Sequence, residues 1–311
     1  MKLNPIFESS ARRRMRTAKT PAVVTAYLLA MLVFSLSQLT RFFGQGVTVT
    51  AMRQGVECYI WMTALQFLLI MLVAPALSAG SIAGERERQT FDLLLVTGVG
   101  VRRIVLGKLM ESFAFLALLI LSGAPVVSLV LITGGVTVFD VAQTLGYLLL
   151  IALAALSVGM VMSTIFKRSL SAIIASYLAI FAIGAGTWAL SKQGPFAARY
   201  TMELLESLPQ MSSGAALALV PAVLLLNPAI GLVTMLSSQT GILHRTMEYT
   251  LRLYQIYTVF GQAGYGRVSI ACFAAIAGAT LLLIVLSMLL LSWQTGVALT
   301  KSHAGRKSEG A

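Results

Sequence analysis

The residues able to do chemistry gather in one short stretch. Glu85, Glu87 and Asp92 alternate with Arg86 and Arg88 around Thr90, and Arg102 and Arg103 follow shortly after. Carboxylates of this kind can act as general acids and bases, but no nucleophile and no metal-ligand pattern accompanies them. The two histidines, His244 and His303, have no ligand partner at metal spacing. No Gly-x-Ser-x-Gly is present. Gly107–Lys108 is followed by Leu109, and Arg102 stands where a phosphate-binding loop would place its first glycine. The chain is therefore expected to hold no cofactor and to hydrolyse no nucleotide by that device. What the mixed charges offer instead is a docking surface. Read as a helix, Glu85, Arg88, Gln89 and Asp92 share one face, with Arg88–Asp92 an i,i+4 ion pair. Phe91, Leu94 and Leu95 share another. Gly98 and Gly100 then break the helix, Arg102–Arg103 restart it, and Lys108 marks a membrane boundary.

The elements that carry this stretch are set by the rest of the composition. Of the 311 residues 58% are hydrophobic and 11% charged, and the mean hydropathy is +0.86. That is too little charge to cover a soluble domain. Six apolar runs, 21–39, 59–83, 109–133, 141–166, 169–190 and 269–293, approach or exceed the roughly 20 residues a helix needs to cross a bilayer. They must be helices, because lipid offers the backbone no other partner. The expected fold is an all-α integral membrane protein of six transmembrane helices. The first run is read as an uncleaved span, since it lacks a small-residue cleavage site.

The net charge of +12 does not point to nucleic acid, because its placement follows topology. All but seven of the 23 Lys and Arg fall before the first run, between the second and third, between the fourth and fifth, or after the sixth. The seven are Arg41, Arg53, Lys192, Arg199, Arg245, Arg252 and Arg267. Alternating spans put the richer set on one side, expected to be cytoplasmic, with both termini. The basic, amphipathic segment 1–20 suits an interfacial helix on the inner leaflet as well as a topology signal. Residues 21–294 read as one membrane domain with a cytoplasmic segment 84–108 and an outer region 191–268, and 295–311 as a cytoplasmic basic tail. Within the outer region, 196–208 reads as an amphipathic helix with an Arg199–Glu203 pair. The apolar stretch 215–236 is read as a re-entrant or interfacial element, because Pro221 and Asn227–Pro228 interrupt it. A seventh span is the alternative, and it would move the basic tail outside. Cys58 and Cys272 fall near the outer ends of their spans, as buried free thiols or as a disulfide.

At depth the spans carry almost no ionisable group, which argues against an ion-coupled transporter. They carry small residues instead. Gly159 and Ser163, Ala172 and Ser176, and Ala182 and Gly186 repeat a spacing that lets helices approach closely, within the chain or between two subunits.

The stretch Glu85-Arg86-Glu87, Thr90 to Leu95 and Thr97, followed by Arg103-Ile104 and Leu106 to Leu109, resembles the cytoplasmic coupling segment of ABC-2-type transporter permeases. Asn4–Pro5, Arg12 to Thr17, Pro125–Val126, Gly134 to Val136, Lys167–Arg168 and Asn227–Pro228 are similar to other parts of that family. Gln89 departs from it, standing where a Gly is frequent, as does Gly98, where a Pro is common. The resemblance implies a permease in a prokaryotic plasma membrane. It implies a homo- or heterodimer with a second permease copy, driven by a separate ABC ATPase subunit and usually exporting. Glu85, Arg86, Glu87, Arg88, Thr90 and Asp92 would then face the ATPase, while Arg102 and Arg103 hold the elbow or lipid headgroups. The rival readings are a polytopic membrane enzyme and a non-transporting scaffold.

Overall fold

The computed structural model describes residues 19–39, 49–91, 100–128, 131, 135–192, 225–240 and 265–309. The expected interfacial helix at the N-terminus, the amphipathic helix at 196–208, residues 215–224 and Asp92 lie outside the described residues. Those described form seven helices and no strand. They are α1 (Lys19–Leu39), α2 (Val49–Glu87), α3 (Val101–Ser128), α4 (Val138–Ile165), α5 (Ser169–Lys192), α6 (Pro228–Thr240) and α7 (Tyr265–Glu309). Five of them contain stretches long and apolar enough to cross a membrane: Gln54–Glu87, Val101–Pro125, Val138–Ile165, Ser169–Gly186 and Ser269–Thr295. The chain is thus an all-α, multi-pass membrane protein. In α1 the described apolar stretch is shorter, Val24–Ser37.

Helix α4 is the central mast. Two-thirds of its apolar window (67%) is buried, against 11% for α5 and 22% for α7, and α2, α3, α5, α6 and α7 all pack on it. Its start is fixed by a capping box: the Thr137 hydroxyl accepts from the Asp140 N–H (3.2 Å), and Asp140 Oδ2 accepts from the Thr137 N–H (2.9 Å). Its end comes at extended Phe166, and α5 restarts after Lys167–Arg168.

Small residues set the helix spacing, as lipid supplies no hydrophobic drive to close the seams. A Cβ added to Gly159 would lie 2.0 Å from Ser78 Oγ, and one added to Gly231 would lie 2.0 Å from Tyr147 Oη. The first glycine seats α4 on α2, the second seats α6 between α4 and α7. Ser163, one turn after Gly159, accepts from the Ile82 and Ala83 N–H groups of α2 (2.9 and 3.0 Å). Ala172 is fully buried against Ala79 and Ala83, and Ser176 is buried beside Ile173, whose carbonyl its hydroxyl meets at 2.7 Å. Ala182 and Gly186 are exposed, and nothing lies within 4 Å of a Cβ added at Gly186. Four of the six small residues therefore sit in or beside seams within the chain, and two face outward.

The helices run longer than the apolar patterns. Residues 49–58, which precede the second apolar run, belong to α2, and α7 carries the sixth run without a break into the basic tail. The mixed-charge stretch departs most from expectation. The helix does not continue to Asp92: α2 ends at Glu87 and turns at Gln89, whose φ is 56°. The Gln89 N–H bonds the Arg86 carbonyl (3.1 Å) and the Thr90 N–H bonds the Glu85 carbonyl (3.0 Å), the paired bonds of a Schellman cap. Gln89 thus holds a left-handed position, one that favours glycine. The restart after Gly100 agrees with the sequence, with the Arg103 and Ile104 N–H groups bonding the Gly100 carbonyl (2.9 and 3.3 Å).

The break at Asn227–Pro228 is the start of α6. Pro228 lacks only an N–H that a first turn leaves unpaired anyway, and Asn227 Oδ1 accepts from the Ala229 N–H (2.9 Å). Tyr147, about a third of the way along α4, donates to the Pro228 carbonyl (3.1 Å). At the other end Gln239 joins Tyr59, Asp140, Gln143 and Thr144 in a polar cluster at the first turns of α4. Helix α6 therefore covers about half the length of α4. Cys58 and Cys272 are both free thiols.

Candidate functional site

The end of the bundle opposite that polar cluster holds most of the described chemistry-bearing residues. In a helix successive side chains point about 100° apart, so three consecutive charged residues near the end of α2 can reach three different neighbours. Glu85, Arg86 and Glu87 do this.

Glu85 Oε1 meets Lys108 Nζ of α3 at 2.6 Å, and the same ammonium donates to the Ser81 carbonyl at 2.9 Å. The side chains are 29% and 12% exposed, and the second carboxylate oxygen of Glu85 is buried without a partner. Arg86 donates through Nη1 to the Thr164 carbonyl in the last turn of α4 (2.8 Å) and through Nη2 to Gln294 Oε1 of α7 (2.6 Å). Its guanidinium also lies over the buried Phe91 ring, 5.2 Å from the centroid. A cation at a helix C-terminus satisfies a carbonyl the helix leaves open and complements its dipole. Glu87 does the converse: Oε2 accepts from the N–H and hydroxyl of Ser169 (3.0 and 2.5 Å), the first residue of α5. The triplet thus fastens α2 to α3, to α4 and α7, and to α5.

The remaining residues singled out from the sequence lie outside this knot. Arg88 and Thr90 are exposed, with the Thr90 hydroxyl turned back to the Glu85 carbonyl (3.2 Å). Arg102 and Arg103 are exposed on the first turn of α3. Lys167 and Arg168, between α4 and α5, are exposed as well. Among the described residues the exposed rim of this end is therefore cationic, while Glu85 and Glu87 are turned to partners within the chain. Thr164, Ser169 and Gln294 are members of the knot that sequence reasoning missed. Only their positions near the ends of predicted spans pointed to them. No group of acidic, His or Cys residues able to hold a metal occurs among the described residues.

The fold is that of a multi-pass α-helical membrane protein whose helices are cross-tied beneath a charged rim. Residues 12–299 match the family model described as ABC-2 family transporter protein, and the chain belongs to that family. It is an ABC transporter permease, a membrane component of a transporter and not itself an enzyme. A search of curated proteins finds no match to the chain.

Proposed function

We propose that this permease is driven by a separate ABC ATPase that docks on the cationic rim, and that it works as an exporter paired with a second permease copy. The observation that carries this reading is the division of labour within residues 85–103. Arg88, Thr90, Arg102 and Arg103 are exposed, and Asp92 falls between them in sequence, so these face the ATPase. Glu85, Arg86 and Glu87 stand behind them and fasten α2 to four other helices. A displacement of the rim is then delivered to the whole bundle at once. With α1 counted, six helices span the membrane, both termini lie in the cytoplasm, and 84–108 is the cytoplasmic coupling segment. Helix α6, half the length of α4, is the outer leg of a re-entrant element in region 191–268. The tail 295–311 extends α7 on the cytoplasmic side. Ala182 and Gly186, outward-facing on α5, are available to the second copy. Anionic lipid headgroups share the rim charge at the membrane edge.

The test is recovery of partners by the tagged chain in mild detergent. The wild type is expected to bring down a soluble ATPase in stoichiometric amount. The triple charge reversal Arg88→Glu, Arg102→Glu, Arg103→Glu, confined to exposed side chains, is expected to lose it while eluting as the same particle. Retention of the ATPase by that variant sinks the docking assignment.

A further inference from the structure

Between α5 and α7 the surface of the bundle is hollow. The two helices flank α4 with no packed seam between them, and a cavity of about 680 Å³ opens there. Its floor is a stripe of α4 at helical spacing, Ile151, Ala154, Ala155 and Val158. Its far end is closed by the first turn of α6 at Asn227 and Pro228. Glycines make the room: Gly184 of α5 and Gly278 of α7 line the cavity, and a Cβ added to either would meet nothing within 4 Å.

The lining is almost wholly apolar, with Thr280 and Asn227 its polar side chains. Thr280 spends its hydroxyl on the Ile276 carbonyl (2.5 Å), and the Asn227 carbonyl oxygen already caps α6. Water needs two to four polar partners to occupy a cavity, and the two polar side chains here are already bonded within the chain. Its size falls in the range of ligand sites, far above the voids that packed interiors tolerate. Ile151 lies 13 residues beyond the start of the 28-residue α4, so the hollow sits near mid-depth of a spanning helix. At that depth the surrounding medium is hydrocarbon chain.

We propose that this cavity is a binding site for one acyl chain of a membrane phospholipid, which lies along the α4 stripe and ends beneath the α6 turn. The chain gains dispersion contacts on three helices at once, where bulk lipid would leave the concave wall incompletely covered. The site depends on the membrane fold alone and not on how the ATPase docks.

The full-length protein in phosphatidylcholine vesicles, doped with the same lipid bearing a diazirine near the methyl end of one acyl chain, tests this by photolabelling and peptide mapping. Adducts are expected to concentrate on the α4 stripe and around Gly278, well above those on the outward face of α1 at Leu32 and Leu36. Gly278→Leu and, separately, Gly184→Leu are each expected to cut the groove adducts about tenfold, because overlap with a bound chain costs more than the ~1.4 kcal/mol that a factor of ten represents. Labelling of α1 is expected to stay constant, which also reports a folded bundle; two independent positions guard against one variant misfolding. Groove adducts no more frequent than those on α1, or unmoved by both substitutions, overturn the proposal. So does an unlabelled groove at which a cysteine introduced by Ala154→Cys is instead disulfide-linked by oxidant to a cysteine placed within 193–224, which would make the occupant the chain's own segment.

Discussion

Single residues at the end of α2 carry opposite demands. Gln89 holds a left-handed conformation at φ 56° that costs a non-glycine residue roughly 1–2 kcal/mol. Gln89→Gly is therefore expected to raise the stability of the bundle by about 1 kcal/mol, offset in part by the entropy of glycine in the unfolded chain. Gln89→Val is expected to lower it by at least as much. Intrinsic tryptophan fluorescence during thermal unfolding in detergent reads both shifts. The neighbouring Glu85–Lys108 pair stands at 2.6 Å with Lys108 only 12% exposed. Removing one member leaves the other largely desolvated, so Lys108→Met is expected to destabilise by about 2 kcal/mol. Lys108→Met with Glu85→Gln should recover part of that loss. An additive double-mutant cycle would show that the pair is not coupled.

At the scale of elements, close approach decides stability more than hydropathy does. Gly231→Ala places a carbon 2.0 Å from Tyr147 Oη and 3.0 Å from the Cys272 Cβ, so α6 must move off its seat. The expected cost is about 2 kcal/mol. Tyr147→Phe in the same chain should restore only part of it, because the ring carbon Cζ (2.9 Å) and the Cys272 Cβ (3.0 Å) remain in the way, while Gly186→Ala should be silent. A comparison of melting temperatures checks all three. The same contrast explains how far the sequence could be read. Apolar runs mark where the long helices lie, since a bilayer demands about 20 apolar positions whatever the helices touch, but not where they end: α2 begins at Val49 and α7 continues to Glu309. The start of α3 after Gly100 was readable too, as was a break at Asn227–Pro228, because Gly and Pro act locally; that the break begins a helix, α6, was not. The end of α2 was not. Nothing in the run from Glu85 to Asp92 forbids a helix, and the turn at Gln89 uses a residue with no special preference for left-handed backbone. Nor could spacing reveal that Glu85, Arg86 and Glu87 bind inside the chain, because Lys108, Thr164, Ser169 and Gln294 come to them only through the tertiary fold.

For the whole molecule, the consequence of that knot is that one side chain bridges more of the bundle than any charge on the rim. Arg86 joins the last turn of α4 to α7 while it lies over Phe91, which follows directly on the turn at Gln89. Helix α4 is in turn the mast on which α2, α3, α5, α6 and α7 pack. Motion imposed on residues 88–91 therefore reaches α4 and α7 through a planar fork that holds two acceptors at once. Arg86→Lys keeps the charge but replaces the fork by a single ammonium on a shorter reach. It is expected to hold either the Thr164 carbonyl or Gln294, not both. Docking on the rim should be untouched, since Arg88, Arg102 and Arg103 are intact, so an ATPase should still be recovered at wild-type stoichiometry. What should fall is the response of ATP turnover to the permease, by about tenfold if the loss is that of one charge-assisted hydrogen bond. Gln294→Ala should reproduce part of the loss, because it removes the α7 arm and leaves the α4 arm in place. ATPase rates in reconstituted vesicles, measured beside pull-down stoichiometry, separate coupling from docking. If Arg86→Lys loses the partner itself, Arg86 belongs to the docking surface; if it retains full stimulation, the fork is a structural tie and the stroke travels by another route.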